Sequence, residues 1–527
     1  MPTFTIDNKK ITADKGTTIL KAALDNGIKI PHFCYHEKLS IDGCCRMCLV
    51  EVEKMPKLTI ACNTPAADDM VVHTHSPKVM KARAGVMEFQ LINHPLDCPV
   101  CDQAGECRLQ EYCFDYGVPH SRFKEEKRKK RKRFSIGEHI VFDEERCILC
   151  RRCVRFCREV SKTGEVAVFN RGDRSYIGIY SGRGLNNKYS LCTTDICPVG
   201  ALTSKDFRFK VRVWFLTETE SICPECSNGC NIKICVRNNK IYRYLPRQND
   251  NVNDTWMCNQ GRLSYKNVHS DDRLTQPLIR SGNKQVPVKW DEALAIIAKG
   301  FKGSDGKVDG SHIGGIGSPH STNEEGFLFR RFMRDAIGTN NIDFAVIKGY
   351  KDDMLIKEEK AANPGGAKDM TLWPSNGGHG ISDMIGGIST GDVKILYIIG
   401  RDLMGPGESE KILDSLGKLD FLVVQDTHVS DLSRKADVVL PSATFAEKDG
   451  TFTNINGIVQ RIRKAVDPPG DSLPDWEIIS RLSKVMGYSM EYNSPEEIMD
   501  EIAKEIPAYK DVNYKEIGNQ GFKVNSS

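Results

Sequence analysis

Short apolar runs alternate with polar stretches along the second half of the chain, from about residue 273 onward. The segments VKILYIIG, DFLVVQD and ADVVLP are such runs, and residues 311–317 predict another strand followed by a Gly/Ser-rich turn. The segment GFLFRRFMRDAIG has the spacing of a helix. Short apolar runs that alternate with helical stretches are typical of parallel strands buried on both faces. This half therefore predicts a doubly wound α/β sheet.

The first half begins with a different pattern, in which single apolar residues alternate with polar ones. The segment TFTI precedes an Asp-Asn dipeptide that favours a turn, and residues 10–13 predict a returning strand. Thr17 or Thr18 predicts the N-terminus of a helix that ends near Gly27. A hairpin followed by a helix fits the start of a ferredoxin-like domain.

The cysteines are confined to one part of the chain, since all twenty lie between Cys34 and Cys258. Most of them fall into four sets built on CxxC pairs. Thiolates in such loops bind soft metals and iron–sulfur clusters, and these clusters carry single electrons. Four sets in one chain therefore predict a series of electron carriers.

The first set is spaced C-x10-C-x2-C-x13-C. A [2Fe-2S] cluster takes four thiolates, most of them on one loop, although the first interval is longer here than in plant-type ferredoxins. A structural zinc site also uses CxxC pairs and is the alternative. Three further sets in the same chain favour a cluster. The predicted ligands are Cys34, Cys45, Cys48 and Cys62.

The second set is spaced H-x3-C-x2-C-x5-C and follows residues 81–93, which have helical spacing. Three cysteines at chelating spacing lack a fourth ligand, and the preceding histidine is preferred over the competing Cys113. Neutral imidazole in place of a thiolate makes a cluster less anionic and, by the reasoning used for Rieske centres, raises its potential. The predicted ligands are His94, Cys98, Cys101 and Cys107.

The third set begins RCILCRRCVRFC and ends DICPVGAL. In two-cluster bacterial ferredoxins, the run C-x2-C-x2-C-x3-C-P places its fourth cysteine on the other cluster. Cys157 has that position. A second cluster would also need cysteines where this chain has Asn187, Ser190 and Thr193, and the only nearby thiol is the off-register Cys192. One [4Fe-4S] cluster is therefore predicted, with Cys157 as a spare thiol. Its ligands are Cys147, Cys150, Cys153 and Cys197.

The fourth set is spaced C-x2-C-x3-C-x27-C. The segment NIKICVRNNKIYRYLP inside it predicts a hairpin that turns at its Asn-Asn dipeptide. Ile232, Ile234 and Val236 share one face of the first strand, so Cys235 points the other way and is not a predicted ligand. The predicted ligands are Cys223, Cys226, Cys230 and Cys258.

With these residues identified, the chain resembles the large iron–sulfur subunit of bacterial NADH:quinone oxidoreductase, respiratory complex I. The resemblance covers nearly the whole chain. It rests on the order of the four sites and on CRMCLVEVE, HPLDCPVCDQAGEC, RCILCRRCVRF, DICPVGALTS, ADVVLPSATFAEKDGTFTN and PDWEIISRL. It implies one [2Fe-2S] cluster in the first set and one [4Fe-4S] cluster in each of the other three. The fourth matches an extra cluster of many bacterial members, away from the main route to quinone.

The resemblance also implies a role as an electron-transfer subunit of the peripheral arm. A flavin-bearing NADH-binding partner, a [2Fe-2S] partner subunit and smaller iron–sulfur subunits leading to quinone are the expected neighbours. The chain has no convincing dinucleotide fingerprint, catalytic triad or H-E-x-x-H motif, so no NADH or quinone active site is expected in it. The expected location is the cytoplasmic face of the inner (plasma) membrane, held peripherally by partner subunits.

Six segments follow from the motifs and the resemblance, and the fold class is multidomain α+β and α/β. They are a β-grasp [2Fe-2S] ferredoxin-like domain (1–78), a small His/Cys cluster unit (79–120), a basic connector (121–138), a ferredoxin-like [4Fe-4S] domain (139–216), a [4Fe-4S] module of the molybdopterin-oxidoreductase type (217–272) and a shortened molybdopterin-oxidoreductase-like α/β domain (273–527).

The last domain resembles the pterin-binding fold, yet no molybdenum cofactor is expected. No cysteine follows Cys258, so this half offers no thiolate ligand for molybdenum. Catalytic relatives commonly carry a lysine two residues after the last cluster cysteine, where this chain has Gln260. The loop GIGSPHSTNEEG could receive phosphate at a helix N-terminus, but such loops are common. Its expected role is to shield the fourth cluster and to offer docking surface.

Composition changes this picture little. Charged residues make up 27% of the chain, the net charge is +4 and the mean hydropathy is −0.40, so no apolar run predicts a transmembrane helix. The N-terminus has no apolar signal core, which favours reduced, metal-bound thiols over disulfides. The basic run at 124–133 is interpreted as a solvated connector because no aromatic residues interrupt it. No nucleic-acid partner is expected.

Three functional hypotheses are distinguished. The first is the complex I electron carrier, and the second is a diaphorase subunit of an NAD-linked hydrogenase or formate dehydrogenase, which shares the first three sites. The third is a catalytic molybdopterin enzyme, which requires molybdenum or tungsten. A non-redox zinc scaffold is the most distant alternative. The thiols without an assigned role are Cys44, Cys113, Cys157, Cys192 and Cys235.

Overall fold

The computed structural model describes residues 1–180, 182–302, 306–400 and 409–524. The chain forms two compact units, Met1–Leu216 and Thr217–Ser527. The first unit contains the first three predicted ligand sets, and the second contains the fourth. No helix within the described ranges is both long and apolar enough to cross a membrane.

The first unit opens with a five-stranded mixed sheet and one helix. These elements are β1 (Thr3–Ile6), β2 (Lys9–Thr12), α1 (Ile19–Asp25), β3 (Leu49–Val52), β4 (Thr59–Ile60) and β5 (Val71–His73). The strand order is β2-β1-β5-β3-β4, with β1 antiparallel to β2 and parallel to β5. Residues of β1 and α1 share one apolar core, which holds the helix against the sheet.

The predicted N-terminal hairpin and helix are confirmed. Asp7 and Asn8 form the turn with positive φ angles of 46° and 68°, a conformation that Asp and Asn tolerate better than most residues. The side chain of Thr18 caps α1 by accepting a backbone N–H of its first turn. The helix ends before Gly27, as expected, whereas the returning strand begins at Lys9, one residue earlier than predicted.

Two helices follow this sheet, α2 (Pro77–Leu91) and α3 (Arg108–Tyr116). The helix predicted over 81–93 is present as α2, but it begins earlier. Ser76 caps it and Pro77 is its first residue, a start signal that an argument from apolar spacing overlooks. The buried Arg83 donates to the carbonyl of Leu49 and so ties α2 to β3.

The rest of the first unit consists of small sheets and short helices. Its elements are β6 (Phe134–Ser135), β7 (Ile140–Phe142), α4 (Arg152–Arg155), β8 (Val166–Phe169), β9 (Tyr176–Ile179), α5 (Cys192–Ile196) and β10 (Leu202–Ser204). Strands β10, β7 and β6 form an antiparallel sheet, and β8 pairs with β9. A π-helical turn, Phe156–Val160, continues α4. Cys153 lies in α4 and Cys197 directly follows α5, so these short elements position the third set.

The second unit begins with a three-stranded antiparallel sheet and two short helices. They are β11 (Thr217–Ile222), β12 (Asn231–Arg237), β13 (Lys240–Pro246), α6 (Asn259–Leu263) and α7 (Tyr265–Val268). The predicted hairpin is confirmed, with Asn238 and Asn239 in the turn at φ angles of 51° and 57°. The register shifts between Cys235 and Val236, and both side chains are buried, so the predicted alternation ends there.

A seven-stranded sheet dominates the second unit. Its strands are β14 (Leu278–Ser281), β15 (Lys284–Pro287), β16 (Ile313–Gly317), β17 (Ile342–Phe344), β18 (Ile395–Ile399), β19 (Phe421–Asp426) and β20 (Val438–Pro441). The order is β15-β14-β20-β19-β18-β16-β17. Strands β16, β18, β19 and β20 are the four predicted from the apolar runs and run parallel as expected, and β17 adds a fifth parallel strand that was not predicted. The β14–β15 hairpin adds an antiparallel edge, which the apolar pattern does not predict because these strands are only partly buried.

Helices cover both faces of this sheet. They are α8 (Trp290–Phe301), α9 (Asn323–Arg331), α10 (Pro364–Asp369), α11 (Ile381–Thr390), α12 (Ser409–Leu416), α13 (Asp431–Lys435) and α14 (Asp475–Met486). In β18, Tyr397 and Ile399 pack in the core that contains α8, α9 and α14. Leu396 and Ile398 pack in a second core with α11, α12 and α13. The predicted doubly wound arrangement is confirmed.

The remaining elements of the second unit lie toward its C-terminus. They are β21 (Gly450–Thr453), β22 (Ile458–Ile462), α15 (Pro495–Glu505), α16 (Tyr514–Ile517) and β23 (Phe522–Lys523). The three strands form a small antiparallel sheet. The helix predicted from GFLFRRFMRDAIG is α9, which continues into a π-helical segment, Phe332–Ile337.

Candidate iron–sulfur sites

The first set is gathered on the loop between α1 and β3 and on the turn after β4. The thiols of Cys44 and Cys45 hydrogen-bond to Cys34 and lower its pKa to about 2. A hydrogen bond from Cys62 likewise lowers the pKa of Cys48. Cys34 also acts electrostatically on Cys48 and Cys62, so the four sulfurs share one site. These hydrogen bonds favour the thiolate form at Cys34 and Cys48, and thiolates are the ligands that iron–sulfur clusters take.

The second set lies in the segment between α2 and α3. The charges of Cys98, Cys101 and Cys107 act on one another, so these thiols are neighbours. His94 Nδ1 is buried and has no hydrogen-bond partner in the described part of the chain. Burial and the charge of Arg146 lower the pKa of His94 to about 4, so its ring is neutral at pH 7. A neutral imidazole with an unused nitrogen fits the role of a metal ligand.

Two neighbours shape this second site. Arg146 is 1% exposed and donates from Nη2 to Asp97 at 2.9 Å, which holds the loop that carries the first two cysteines. The Cys101 sulfur packs closely against Gly200, since a Cβ at this position would lie 2.4 Å from Sγ. The glycine of the DICPVGAL motif therefore makes room for a ligand of another set.

The four cysteines of the third set face a common cavity. This small cavity of about 20 Å³ is also lined by apolar residues of β7, β9 and β10. Leu149 and Arg151 have positive φ angles of 55° and 58°, so the CxxCxxC loop is sharply bent. Burial raises the pKa of Cys150 to about 11, which leaves a thiolate there dependent on the positive charge of a metal. The cavity-lining cysteines are Cys147, Cys150, Cys153 and Cys197.

The fourth set brings the loop after β11 against the start of α6. The N–H of Cys223 donates to the carbonyl of Cys230 at 2.8 Å, and Asn228 donates to the Cys230 sulfur at 3.1 Å. A Cβ added at Gly261 would lie 2.8 Å from the Cys223 sulfur and 3.5 Å from the Cys258 sulfur. Burial and the charges of the other three cysteines raise the pKa of Cys223, so all four thiols are close together.

Two of the thiols without an assigned role lie beside predicted sites. The thiol of Cys44 contacts Cys34, while burial and the charge of Cys98 raise the pKa of Cys113. The others are buried in helical or strand segments: Cys157, Cys192 and Cys235. Among the described residues, no three His, Cys, Asp or Glu side chains are arranged to hold a single metal ion.

Sequence reasoning overlooks the buried arginines around these sites. Arg83, Arg146, Arg152 and Arg155 are each at most 3% exposed and donate to carbonyls or carboxylates. Arginine is mostly exposed in proteins, so a basic residue in a loop predicts a solvated side chain. The available signal is position along the chain, since Arg146 and Arg152 directly precede predicted ligands and Arg155 lies two residues after one.

The parallel sheet carries a crevice of about 310 Å³ at the carboxyl ends of its strands. The strand order reverses at this point, because β17 lies on one side of β16 and β18 lies on the other. Open α/β sheets bind ligands at such a point. The helix that starts at this edge, α9, is capped by its own Thr322 and Glu325 side chains. The crevice is bordered by Glu225, Gln260, Ser318, Gly400, Asp426 and Ser442.

Family models match successive parts of the chain. A 2Fe-2S iron-sulfur cluster binding domain matches residues 1–77, and an NADH-ubiquinone oxidoreductase-G iron-sulfur binding region matches 83–122. The ferredoxin-like domain of NADH-quinone oxidoreductase subunit 3 matches 137–203. The molybdopterin oxidoreductase Fe4S4 domain matches 216–270, and the molybdopterin oxidoreductase family matches 273–352 and 347–485. The chain therefore contains a 2Fe-2S domain, 4Fe-4S domains and a molybdopterin oxidoreductase domain.

Known relatives match almost the full chain. The G-type subunit of NADH-quinone oxidoreductase from Rickettsia bellii is 32% identical over 641 aligned positions, which cover 99% of this chain and 92% of the relative. The mitochondrial NADH-ubiquinone oxidoreductase 78 kDa subunit of Candida albicans is 33% identical, covering 93% of this chain and 83% of the relative.

A solved structure, an NAD+-reducing [NiFe]-hydrogenase in the H2-reduced state, is similar over 40% of this chain and 91% of its own, at 30% identity. The TM-score of this match is 0.37. The relatives in contrast span nearly the whole length, and the chain belongs to the family of G-type subunits of NADH-quinone oxidoreductase.

Proposed function

We propose that this chain carries single electrons in the peripheral arm of NADH:quinone oxidoreductase, from a flavin-bearing NADH-oxidising partner toward quinone. Electron transfer as a subunit of this oxidoreductase complex follows from the family. The observation that carries the proposal is the enclosure of four predicted ligands of the third set around one cavity. Iron–sulfur clusters, when bound, take up and release one electron at a time.

We assign one [2Fe-2S] and three [4Fe-4S] clusters to the chain. The [2Fe-2S] ligands are Cys34, Cys45, Cys48 and Cys62. The [4Fe-4S] ligands are His94, Cys98, Cys101 and Cys107; then Cys147, Cys150, Cys153 and Cys197; and then Cys223, Cys226, Cys230 and Cys258. The shared electrostatics of each cysteine group supports this assignment, and the unused buried nitrogen of His94 supports a mixed set.

The finer fold assignments belong to the same proposal. The first sheet has β1 between an antiparallel and a parallel neighbour with α1 packed against it, which supports a β-grasp domain. The small antiparallel sheet of β10, β7 and β6 with two short helices supports a ferredoxin-like domain around the third set. The six domain boundaries given by the sequence stay predictions.

The second unit is proposed to act without molybdenum. Its crevice is bordered by Gln260, whose amide donates to Glu225 at 3.2 Å, rather than by a lysine or a thiolate. The buried Lys448 on the same wall is engaged by Glu325 at 2.8 Å and by Asp475 at 3.3 Å. The polar groups of this wall are thus hydrogen-bonded or ion-paired with one another. This supports a structural role for the second unit, in which it shields the fourth cluster and offers docking surface.

Membership of this family implies a multi-subunit, membrane-associated complex. The partners we propose are the flavin- and NADH-binding subunit, its [2Fe-2S] companion and smaller iron–sulfur subunits that lead to quinone. Contact with the membrane arm is then indirect. The proposed location is the cytoplasmic face of the inner (plasma) membrane.

Iron and sulfide analysis of the anaerobically purified chain, combined with electron paramagnetic resonance during a reductive titration, tests the proposal. One two-iron and three four-iron clusters amount to about 14 irons per chain with matching sulfide. We expect this content without molybdenum, with one [2Fe-2S] signal among several [4Fe-4S] signals.

Three outcomes would contradict parts of the proposal. Zinc without sulfide would indicate that the chain is a structural zinc scaffold and not an electron carrier. Stoichiometric molybdenum or tungsten would make the second unit catalytic. Copurification with a hydrogenase or formate dehydrogenase subunit, instead of a quinone module, would identify the diaphorase alternative.

A further inference from the structure

The loops of the first and third sets meet at a buried arginine at the end of α4. Arg155 is 3% exposed. Its Nη2 donates to the carbonyl of Cys34 at 2.6 Å and to the carbonyl of Cys150 at 3.2 Å, and its Nη1 donates to the carbonyl of Ser40. One guanidinium therefore holds the main chain of a predicted [2Fe-2S] ligand and of a predicted [4Fe-4S] ligand.

Arg152, in the same helix, makes a second bridge of the same kind. It is also 3% exposed, and its Nη1 donates to the carbonyl of Ile196 at 3.1 Å while Nη2 donates to the carbonyl of Tyr35. Tyr35 follows Cys34, and Ile196 precedes Cys197. Both arginines thus connect residues at or next to ligands of the two sets.

Further contacts tighten the same junction. The N–H and O–H of Ser40 donate to the carboxylate of Glu159 at 2.8 Å and 2.5 Å. The thiol of Cys44 lies 3.8 Å from the carbonyl of Leu149 in the third-set loop. The junction is therefore built by main-chain and side-chain bonds from both loops, and the arginines are its buried centre.

The charge of Arg155 is partly compensated by two carboxylates, each shared with a second arginine. Asp42 Oδ2 lies 4.0 Å from Nε, which has no hydrogen-bond partner within the described ranges, and Glu159, which also pairs with Arg158, acts on Arg155 electrostatically. Asp42 is also shared with Arg151, at 3.6 Å. A buried, partly compensated positive charge stabilises negative charge on nearby groups, since screening by water is weak there.

We propose that Arg155 is a positioning residue shared by two clusters, which orients both ligand loops and raises both reduction potentials. This inference rests on the proposed function, because it requires clusters in the first and third sets. Reduction adds one electron, supplied by the reductant in a titration, to a thiolate-ligated cluster. The guanidinium stabilises that added negative charge at both sites, so removing it lowers both potentials together.

The test is a redox titration, followed by electron paramagnetic resonance, of the full chain with Arg155→Met. We expect both midpoint potentials to fall by an amount equal to a tenfold change in the ratio of reduced to oxidised cluster, which is about 59 mV for one electron. The potentials of the second- and fourth-set clusters should stay unchanged. Arg155→Lys restores the charge and should recover most of the shift.

The matched control is Arg171→Met, because Arg171 belongs to the same unit but its side chain is exposed and lies outside the junction. It should leave every potential unchanged. If the methionine variant loses iron, Arg155→Gln is used in its place, because its amide can still donate hydrogen bonds. The midpoint potentials of both clusters must then fall together in Arg155→Gln. Unchanged potentials, or a fall at only one site, with iron content intact would overturn the inference. A wild-type chain without cluster signals would refute the proposed function instead.

Discussion

At the scale of single residues, burial and local partners decide which ionisable groups carry a charge. His94 is neutral because it is buried beside Arg146. Lys448 is also buried, and burial alone would lower its pKa, yet Asp475 and Glu325 raise it. The sequence alone does not distinguish a histidine or lysine that is charged from one that is neutral. Motif spacing indicates which residues are candidate ligands, whereas the three-dimensional neighbours decide their charge.

The ligand role of His94 gives a prediction about potential. His94→Cys should keep a [4Fe-4S] cluster but lower its reduction potential, because a thiolate makes the cluster more anionic than an imidazole does. A redox titration followed by electron paramagnetic resonance measures this shift. Cys113→Ala is the control and should change nothing. If His94→Ala left the iron content and every potential unchanged, Cys113 would be the better candidate for the fourth ligand.

The fourth set gives a prediction about cluster number. Cys258→Ala should remove one [4Fe-4S] signal and leave the [2Fe-2S] signal intact, because the two belong to separate sets of ligands. Iron analysis and electron paramagnetic resonance count the clusters. Cys235→Ala, in the neighbouring strand β12, is the matched control and should retain all iron. Equal iron loss in both variants would contradict the assignment.

Glu324 in α9 gives a prediction about pH. Burial raises its pKa from 4.5 to about 7, although Thr451 and Tyr514 donate hydrogen bonds to it. Between these values the folded state keeps a proton that the unfolded state releases. This contribution to stability is therefore present below pH 4.5 and is lost as the pH rises to about 7. Its size is about 3 kcal/mol.

Urea unfolding of the full chain at several values between pH 5.5 and pH 8 measures this loss. Glu324→Gln should flatten the decline, because the amide does not titrate. The exposed Glu496, in the first turn of α15, offers the control Glu496→Gln, which should keep the wild-type slope. Identical slopes in wild type and Glu324→Gln would show that another group is responsible.

At the scale of elements, local signals decide where helices and strands begin, and packing decides where they deviate. The Thr18 cap of α1 and the Asn238-Asn239 turn depend on residues within a few positions of each other, so the sequence predicts them. The register shift at Cys235 depends on the partner strand, and no local signal indicates it.

Two helical glycines give a matched prediction at this scale. A Cβ at Gly300 in α8 would lie 2.4 Å from the ring of Phe421 in β19, so Gly300→Ala should destabilise the fold by about 1–3 kcal/mol. A Cβ at Gly386 in α11 would meet no described atom within 4 Å, so Gly386→Ala should stabilise by up to about 1 kcal/mol. Chemical unfolding of the full chain measures both, and changes of the same sign would contradict the packing argument.

At the scale of the whole molecule, the units differ in what holds them together. The second unit has two extensive apolar cores, one on each face of its parallel sheet, and neither contains a predicted cluster ligand. The core of the first sheet includes Cys48 and Cys62, and the segment of the second set contributes few buried apolar residues. Apolar packing therefore contributes less to the stability of the first unit than to that of the second.

Removal of iron should affect these regions unequally. We expect the region from α2 to α3 to lose protection from hydrogen exchange, because its cysteines are then ionisable groups without a metal. Strands β18 and β19 should keep their protection, since apolar residues cover both of their faces. Hydrogen exchange read by mass spectrometry, before and after anaerobic chelation, makes the comparison. Uniform loss of protection would contradict it.

The cysteine spacing, the N-terminal turn, the Thr18 cap and the apolar runs of the parallel sheet could all be recognised in the amino-acid sequence. Each of these is a relation between residues that are close along the chain, so it can be recognised without knowing the fold. Two other features depend on the fold: Arg155 joins the loops of Cys34 and Cys150, and Gly200 makes room for Cys101. These contacts link residues from separate segments, and they form only when the loops fold back onto each other.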